Sequence, residues 1–185
     1  MVNSGPVSSN EINAEDQARL RRLLRETRWG ALATARDGEP FASWVAFALE
    51  ADGGGALLHL SRLAWHARYL LVNPHASLSL SEPDADAGAD PQQLARVSLQ
   101  GAVEAIVRDT DTYVRARERY LARLPAAVGN FEFADFDLYR LHFTDARYVP
   151  GFGRAHRLDS AALARLAADE SREGFSPSPS GRGMG

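Results

Sequence analysis

A chain of 185 residues with 45% hydrophobic and 24% charged residues has the size and composition of one globular domain with its own core. Its net charge of −3 offers no basic footprint for nucleic acid, and the lack of cysteine excludes disulfides, thiolate nucleophiles, zinc–thiolate centres and iron–sulfur ligation. All 21 basic residues are arginine, so cationic contacts are guanidinium or protonated imidazole and Schiff-base lysine chemistry is excluded.

Residues 1–10 are polar, lack the basic and apolar parts of a secretory signal, and read as disordered. No apolar run approaches the roughly 18 residues of a membrane span. The expectation is a cytoplasmic protein with neither a membrane nor a nucleic-acid partner. Asn13 is placed to cap a first helix whose apolar stripe is Leu20, Leu23 and Leu24, and Gly30 stops it. Three strands follow, at 31–35, 41–49 and 56–60, separated by the turn signals Asp37-Gly38 and Asp52-Gly53-Gly54-Gly55. Turns this short make an antiparallel meander. The run 62–72 predicts a helix stopped by Asn73-Pro74, and 76–81 alternates strictly as a strand with one wet face.

The segment 82–93, rich in Asp, Ala and Pro, reads as a loop; its acidic residues lack the spacing of a calcium loop. Val97, Leu99, Val103, Ala105 and Val107 keep period two, with Gly101 in phase as a bulge or close-approach position. Thr110 or Asp111 caps a helix ended by Pro125, and 136–143 and 146–149 are the last strands. Asp159-Ser160 opens a terminal helix. The domain is expected over 11–170, followed by a disordered Ser/Pro/Gly tail at 171–185. Roughly six antiparallel strands with inserted helices predict a mainly β, α+β fold built on a small barrel. His59, His75 and His142 share no metal-ligand spacing, and no Ser-His-Asp set is legible.

The stretch Ser61-Arg62-Leu63-Ala64-Trp65-His66 carries the most chemistry. Ser61 as an N-cap, with Arg62 and His66 within the first turn or so, would gather anion-binding groups where a helix offers unpaired N–H groups and a partial positive charge. Such a junction suits a phosphate.

With the strands in this order, the chain resembles the FMN-binding split-barrel family typified by pyridoxamine 5'-phosphate oxidase. The resemblance rests on the hairpin at 32–40 with its Asp37-Gly38-Glu39-Pro40 turn, on Ser43-Trp44-Val45, on 61–66, on Asn73-Pro74-His75-Ala76-Ser77-Leu78 and on Arg96-Val97-Ser98-Leu99-Gln100-Gly101. Three features are similar to the haem-utilisation branch in particular: the SRL-x-x-H helix start, 117–123, and 148–155 ending in Gly151-Phe152-Gly153-Arg154-Ala155. The resemblance covers about residues 28–158. It implies a six-stranded antiparallel split barrel and a homodimer with FMN, or a related deazaflavin, in clefts at the subunit interface.

The residues it implies for the cofactor are Ser61, Arg62 and His66 at the phosphate with a contact from Ser43. Trp44 and Val45 would lie along the flavin edge, Arg96 would reach the ring, and Arg154 would belong to a C-terminal cluster that approaches the flavin or its substrate. The departures are Ser43 and Ala48 where the oxidases carry basic residues, Pro150-Gly151 where Gly-Gly is usual, and Tyr69 where Asn is frequent. The implied activity is that of a flavin-dependent oxidoreductase on a small-molecule substrate. Two alternatives stay open: a haem-binding or haem-degrading protein on the same barrel, with His156 as an iron ligand, and a non-catalytic flavin-binding protein.

Overall fold

The computed structural model describes residues 12–173; the expectations for residues 1–10 and for the tail beyond 173 lie outside the described residues. Four helices, α1 (Ala14–Glu26), α2 (Trp65–Leu70), α3 (Asp111–Arg123) and α4 (Ser160–Glu173), surround seven strands. These are β1 (Trp29–Arg36), β2 (Glu39–Leu49), β3 (Gly55–Ser61), β4 (His75–Ser81), β5 (Arg96–Ala105), β6 (Phe136–Gly151) and β7 (Arg154–Asp159). The sheet runs β3-β2-β1-β4-β5-β6-β7, every pairing is antiparallel, and an additional β3–β6 ladder closes six strands into a barrel. β7 hangs outside the closed ring on β6. The predicted split barrel is therefore present, with one strand more.

Local chemistry accounts for the elements. Asn13 Oδ1 accepts the Asp16 N–H at 2.8 Å and starts α1. Asp37 and Gly38 both take positive φ, 52° and 84°, the two-residue turn whose twist matches the strands it joins. In β4 the expected alternation appears as Ala76, Leu78 and Leu80 facing the core while Ser77 and Ser79 stay outside it. Thr110 Oγ1 accepts the Tyr113 N–H at 3.1 Å to start α3, and Asp159 Oδ1 accepts the Ala162 N–H at 2.8 Å beside α4.

Several expectations change. α1 ends at Glu26, so Gly30 lies inside β1 and does not stop the helix, and β5 ends at Ala105, short of Val107. The helix expected over 62–72 is only Trp65–Leu70, and its N-cap position is Ala64, with no side-chain cap, not Ser61. Ser61 stays in β3 opposite Phe136, and the Arg62 N–H donates to Asp135 O at 2.8 Å, so pairing with β6 holds the chain extended through the first residues of the expected helix. The two last strands expected at 136–143 and 146–149 are one strand of 16 residues. Gln100 pairs with Asp145 and Gly101 with Phe143, which leaves Thr144 as the extra residue of a bulge. A Cβ at Gly101 would lie 1.6 Å from His142 O, so only glycine fits there. β7 was not anticipated, because Arg154-Ala155-His156-Arg157 shows no apolar alternation.

The barrel interior holds one core, including Leu32, Phe47, Leu58, Leu78, Leu99 and Leu141. β3 is buried on both faces: its outward side, with Leu57, packs beneath α3 against Ile106, Ala116, Tyr120 and Leu138. His59 lies on that outward side, 7% exposed, stacked on Phe131 at 3.9 Å and flanked by Tyr120 and Phe136.

Burial, reinforced by the nearby Arg108 charge, pushes the His59 imidazole from 6.5 down to about 4. Because the folded value lies below the unfolded one, the unfolded chain takes the proton first as pH falls. Stability is complete above pH 6.5 and declines from there toward about pH 4, by roughly 3 kcal/mol in total. Urea unfolding across that window should show the decline, and His59→Phe should remove most of it.

Candidate functional site

β2 carries Phe41, Ser43, Val45 and Phe47 on its inward phase, and α2 packs against β1 and β2. Val45 and Phe47 are in the core, whereas Phe41 and Ser43 are only part-buried and meet α2. Ser43 Oγ lies 2.9 Å from His66 Nδ1, a hydrogen bond joining two of the residues singled out from sequence. His66 is half-buried, and burial lowers its pKa below the ordinary 6.5. The ring is thus neutral at pH 7 and oriented through Nδ1. Beside it Phe41, Trp65 and Tyr69 form an aromatic cluster with ring centroids 5.8 to 6.4 Å apart. Trp65 is exposed, so the cluster gives solvent an apolar face next to the imidazole.

Ser61 and Arg62 make other commitments. Ser61 Oγ donates to Asp135 Oδ2 and accepts the Leu63 N–H at 3.1 Å. Arg62 Nη2 donates to Ala134 O at 2.6 Å, and its Nε lies 3.4 Å from Asp137 Oδ2. Arg108 Nε also donates to Asp137, at 3.1 Å. Two carboxylates therefore stand where the sequence pointed to a phosphate, and they take up the hydroxyl and the guanidinium expected to hold it. Neither acid could be seen from the sequence, since only the β3–β6 ladder brings residues 134–137 to this junction.

The other expected residues scatter. Trp44 projects from the outer face of the barrel, 61% exposed, and stacks on Trp29 with centroids 6.1 Å apart and planes 11° apart. The Val45 side chain points into the barrel and is 4% exposed, which leaves only its backbone for a ligand. Arg96 opens β5 and donates to Gln92 O at 3.1 Å and Leu94 O at 3.2 Å. Arg154 opens β7 and pairs with the buried Asp16 at 2.6 Å, while Asp16 O accepts the Tyr148 hydroxyl at 3.1 Å. His156 on β7 pairs with Tyr148 on β6 and stacks on that ring at 6.2 Å with its Nε2 sealed from solvent. Within one chain the singled-out residues therefore fall into two groups, one on β2, β3 and α2, the other on β5 and β7. No group of three or more His, Cys, Asp or Glu suited to a metal ion occurs among the described residues. No helix among them is long and apolar enough to cross a membrane.

A closed six-stranded antiparallel barrel with helices at its ends, and a Ser–His pair where β2 meets a short helix, defines a protein of the split-barrel class. More narrowly, the chain belongs to the CREG β-barrel family, which it matches over residues 12–163. Among known proteins it is 33% identical over 140 residues to the chloroplastic heme oxygenase HOZ of Arabidopsis thaliana, covering 74% of this chain and 40% of that one. It is 26% identical over 162 residues to heme oxygenase HutZ of Vibrio cholerae, covering 85% of this chain and 89% of HutZ. A solved heme binding protein from Mycobacterium smegmatis superposes with a TM-score of 0.72 at 31% identity, covering 84% of this chain and 62% of the other. The chain thus spans less than two thirds of the plant and mycobacterial relatives. The resemblance to the haem-utilisation branch stands.

A proton NMR titration should give His66 a midpoint below 6.5. A midpoint at or above that value would show a solvated ring, and with it a site unlike the one described.

Proposed function

We propose that this chain binds haem and works in haem breakdown, the alternative reading of the sequence rather than its leading flavin reading. The observation that carries it is His66: a neutral imidazole, steered through Nδ1 by Ser43, whose Nε2 makes no hydrogen bond among the described residues and which sits beside an apolar aromatic face. Iron-ligating histidines are held in this way, the second ring nitrogen hydrogen-bonded and the first left for the metal. Phe41, Trp65 and Tyr69 suit the flat apolar body of a porphyrin, and unlike a phosphate it makes no demand on Ser61 or Arg62. The names of the relatives, two heme oxygenases and a heme binding protein, point the same way. Haem, when bound, supplies the iron that activates dioxygen; the chain's own contribution is to hold the macrocycle, present an imidazole and keep bulk water from one face.

FMN loses support at its phosphate. The groups meant to bind a dianion already serve Asp135 and Asp137, and placing a phosphate beside those carboxylates would add repulsion.

We further propose that the working unit is a homodimer. On the outer face β1 and its neighbours show small residues, Ala31, Ala33, Ala42, Ser77 and Ser79, in register beside the exposed Trp29–Trp44 stack. A flat small-residue face bordered by two exposed tryptophans suits a second copy of the chain. That copy could bring its Arg96, Arg154 and His156 to the group around His66, joining what a single chain keeps apart.

Titration with haemin should give a saturable Soret shift at one haem per chain, lost or displaced in His66→Ala and kept in His156→Ala. Absence of saturation would refute the haem reading; the reverse pattern in the two variants would move the ligand to His156. Light scattering should give twice the chain mass, and Trp44→Glu should shift the protein to monomer. A monomeric wild type would remove the dimer from the proposal.

A further inference from the structure

At the end of the barrel where β2 turns into β3, α1, α3 and α4 enclose a cavity of about 350 Å³. That lies within the range of small-molecule sites. Its floor is core: Phe47, Leu99, Phe143, Leu163 and Leu166 line it while being no more than 7% exposed.

The mouth has the opposite character. Arg21 and Arg25 on α1 and Arg119 and Arg123 on α3 line it, with Glu50 as the one acid among the described lining residues, and Arg25 lies 3.8 Å from Glu26. Glu50 is matched by Arg140, whose Nε donates to it at 2.8 Å. Arg119 uses its Nε on Leu49 O at 2.8 Å, and Arg123 uses Nη2 on Arg25 O and Thr27 O, so both keep further donors. Arg21 makes no hydrogen bond or ion pair among the described residues. Burial and, after it, the neighbouring Arg28 charge lower the Arg123 pKa.

We infer that this cavity is a second binding site, separate from the one around His66, for an amphipathic monocarboxylate: an apolar chain lying on Phe47, Leu99, Phe143 and the α4 leucines, with its carboxylate among Arg21, Arg119 and Arg123. Guanidinium is the group suited to a carboxylate, through paired parallel N–H donors. The apolar floor rejects small inorganic anions, and the arginine rim discriminates against an uncharged chain. Because the site shares no residue with the proposed haem site, it stands or falls on its own.

Calorimetric titration with decanoate, and with decanol as its uncharged counterpart, tests the assignment. Decanoate should bind saturably at one per chain and decanol at least about tenfold more weakly. Arg21→Glu should weaken decanoate by about tenfold or more, and Ala122→Phe, which places a ring in the mouth from an exposed position, should abolish binding. Both variants should keep the wild-type haemin titration and far-ultraviolet spectrum. No saturable decanoate binding, equal binding of decanol, or decanoate affinity unchanged in both variants would overturn the inference. So would haemin binding lost together with decanoate in well-folded Arg21→Glu, since the cavity would then belong to haem.

Discussion

The fold depends on closure of the sheet by the β3–β6 ladder, which runs from Gly55 opposite His142 to Ser61 opposite Phe136. Without it β3 would be an edge strand with unpaired backbone groups and apolar residues on both faces. Closure pairs those groups, places Ala56, Leu58 and Leu60 inside the barrel, and turns Leu57 and His59 outward to be covered by α3 and the turn at 125–132. It also brings Asp135 and Asp137 to the end of β3, so the same ladder that seals the core decides the electrostatics of the β3–α2 junction.

Arginine chemistry then ties the helices to the barrel. Arg19 on α1 bonds Glu82 beyond β4 at 2.7 Å and Pro150 O at 2.6 Å, and Asp16 on the same helix takes Arg154 from β7. Glu82 is held well below the usual carboxylate range by Arg19, helped by the Ala95 N–H. Arg123 reaches from α3 to backbone carbonyls at the end of α1. A guanidinium carries five donors in a rigid fork, so one side chain can join two elements where a lysine would join fewer. The consequence for function is that several arginines a sequence reader would assign to an anionic ligand are structural, while His66 keeps its Nε2 free of hydrogen bonds among the described residues.

Much of the architecture was legible because it is set by local rules. Asp37-Gly38 specified its hairpin, Asn13 and Thr110 their helices, the Ala/Ser/Leu alternation of β4 its two faces, and Gly101 a position with no room for a Cβ. The resemblance also singles out Ser43 and His66, each as a phosphate contact; the structure joins them by a hydrogen bond. The departures have separate physical causes. Around Ser61 the local sequence permits a helix, yet pairing with residues 135–136 holds that segment extended. β6 was cut in two because its pattern breaks at Thr144, where the bulge absorbs one residue. β7 escaped notice because a strand on the outer edge needs no alternation.

The sequence by itself determined the hairpin turns, the starts of α1 and α3 and the alternating faces of strands such as β4, since each depends on backbone preferences and burial periodicities that act over a few residues. Only the tertiary structure decided which carboxylate meets which guanidinium, that Trp44 faces outward to stack on Trp29, that burial lowers the His66 pKa while Ser43 orients its ring, and that the described residues leave a cavity between α1, α3 and α4. Those outcomes depend on groups far apart in the chain, many brought within a few ångströms by barrel closure, and a charge or a ring behaves according to the neighbours it meets there.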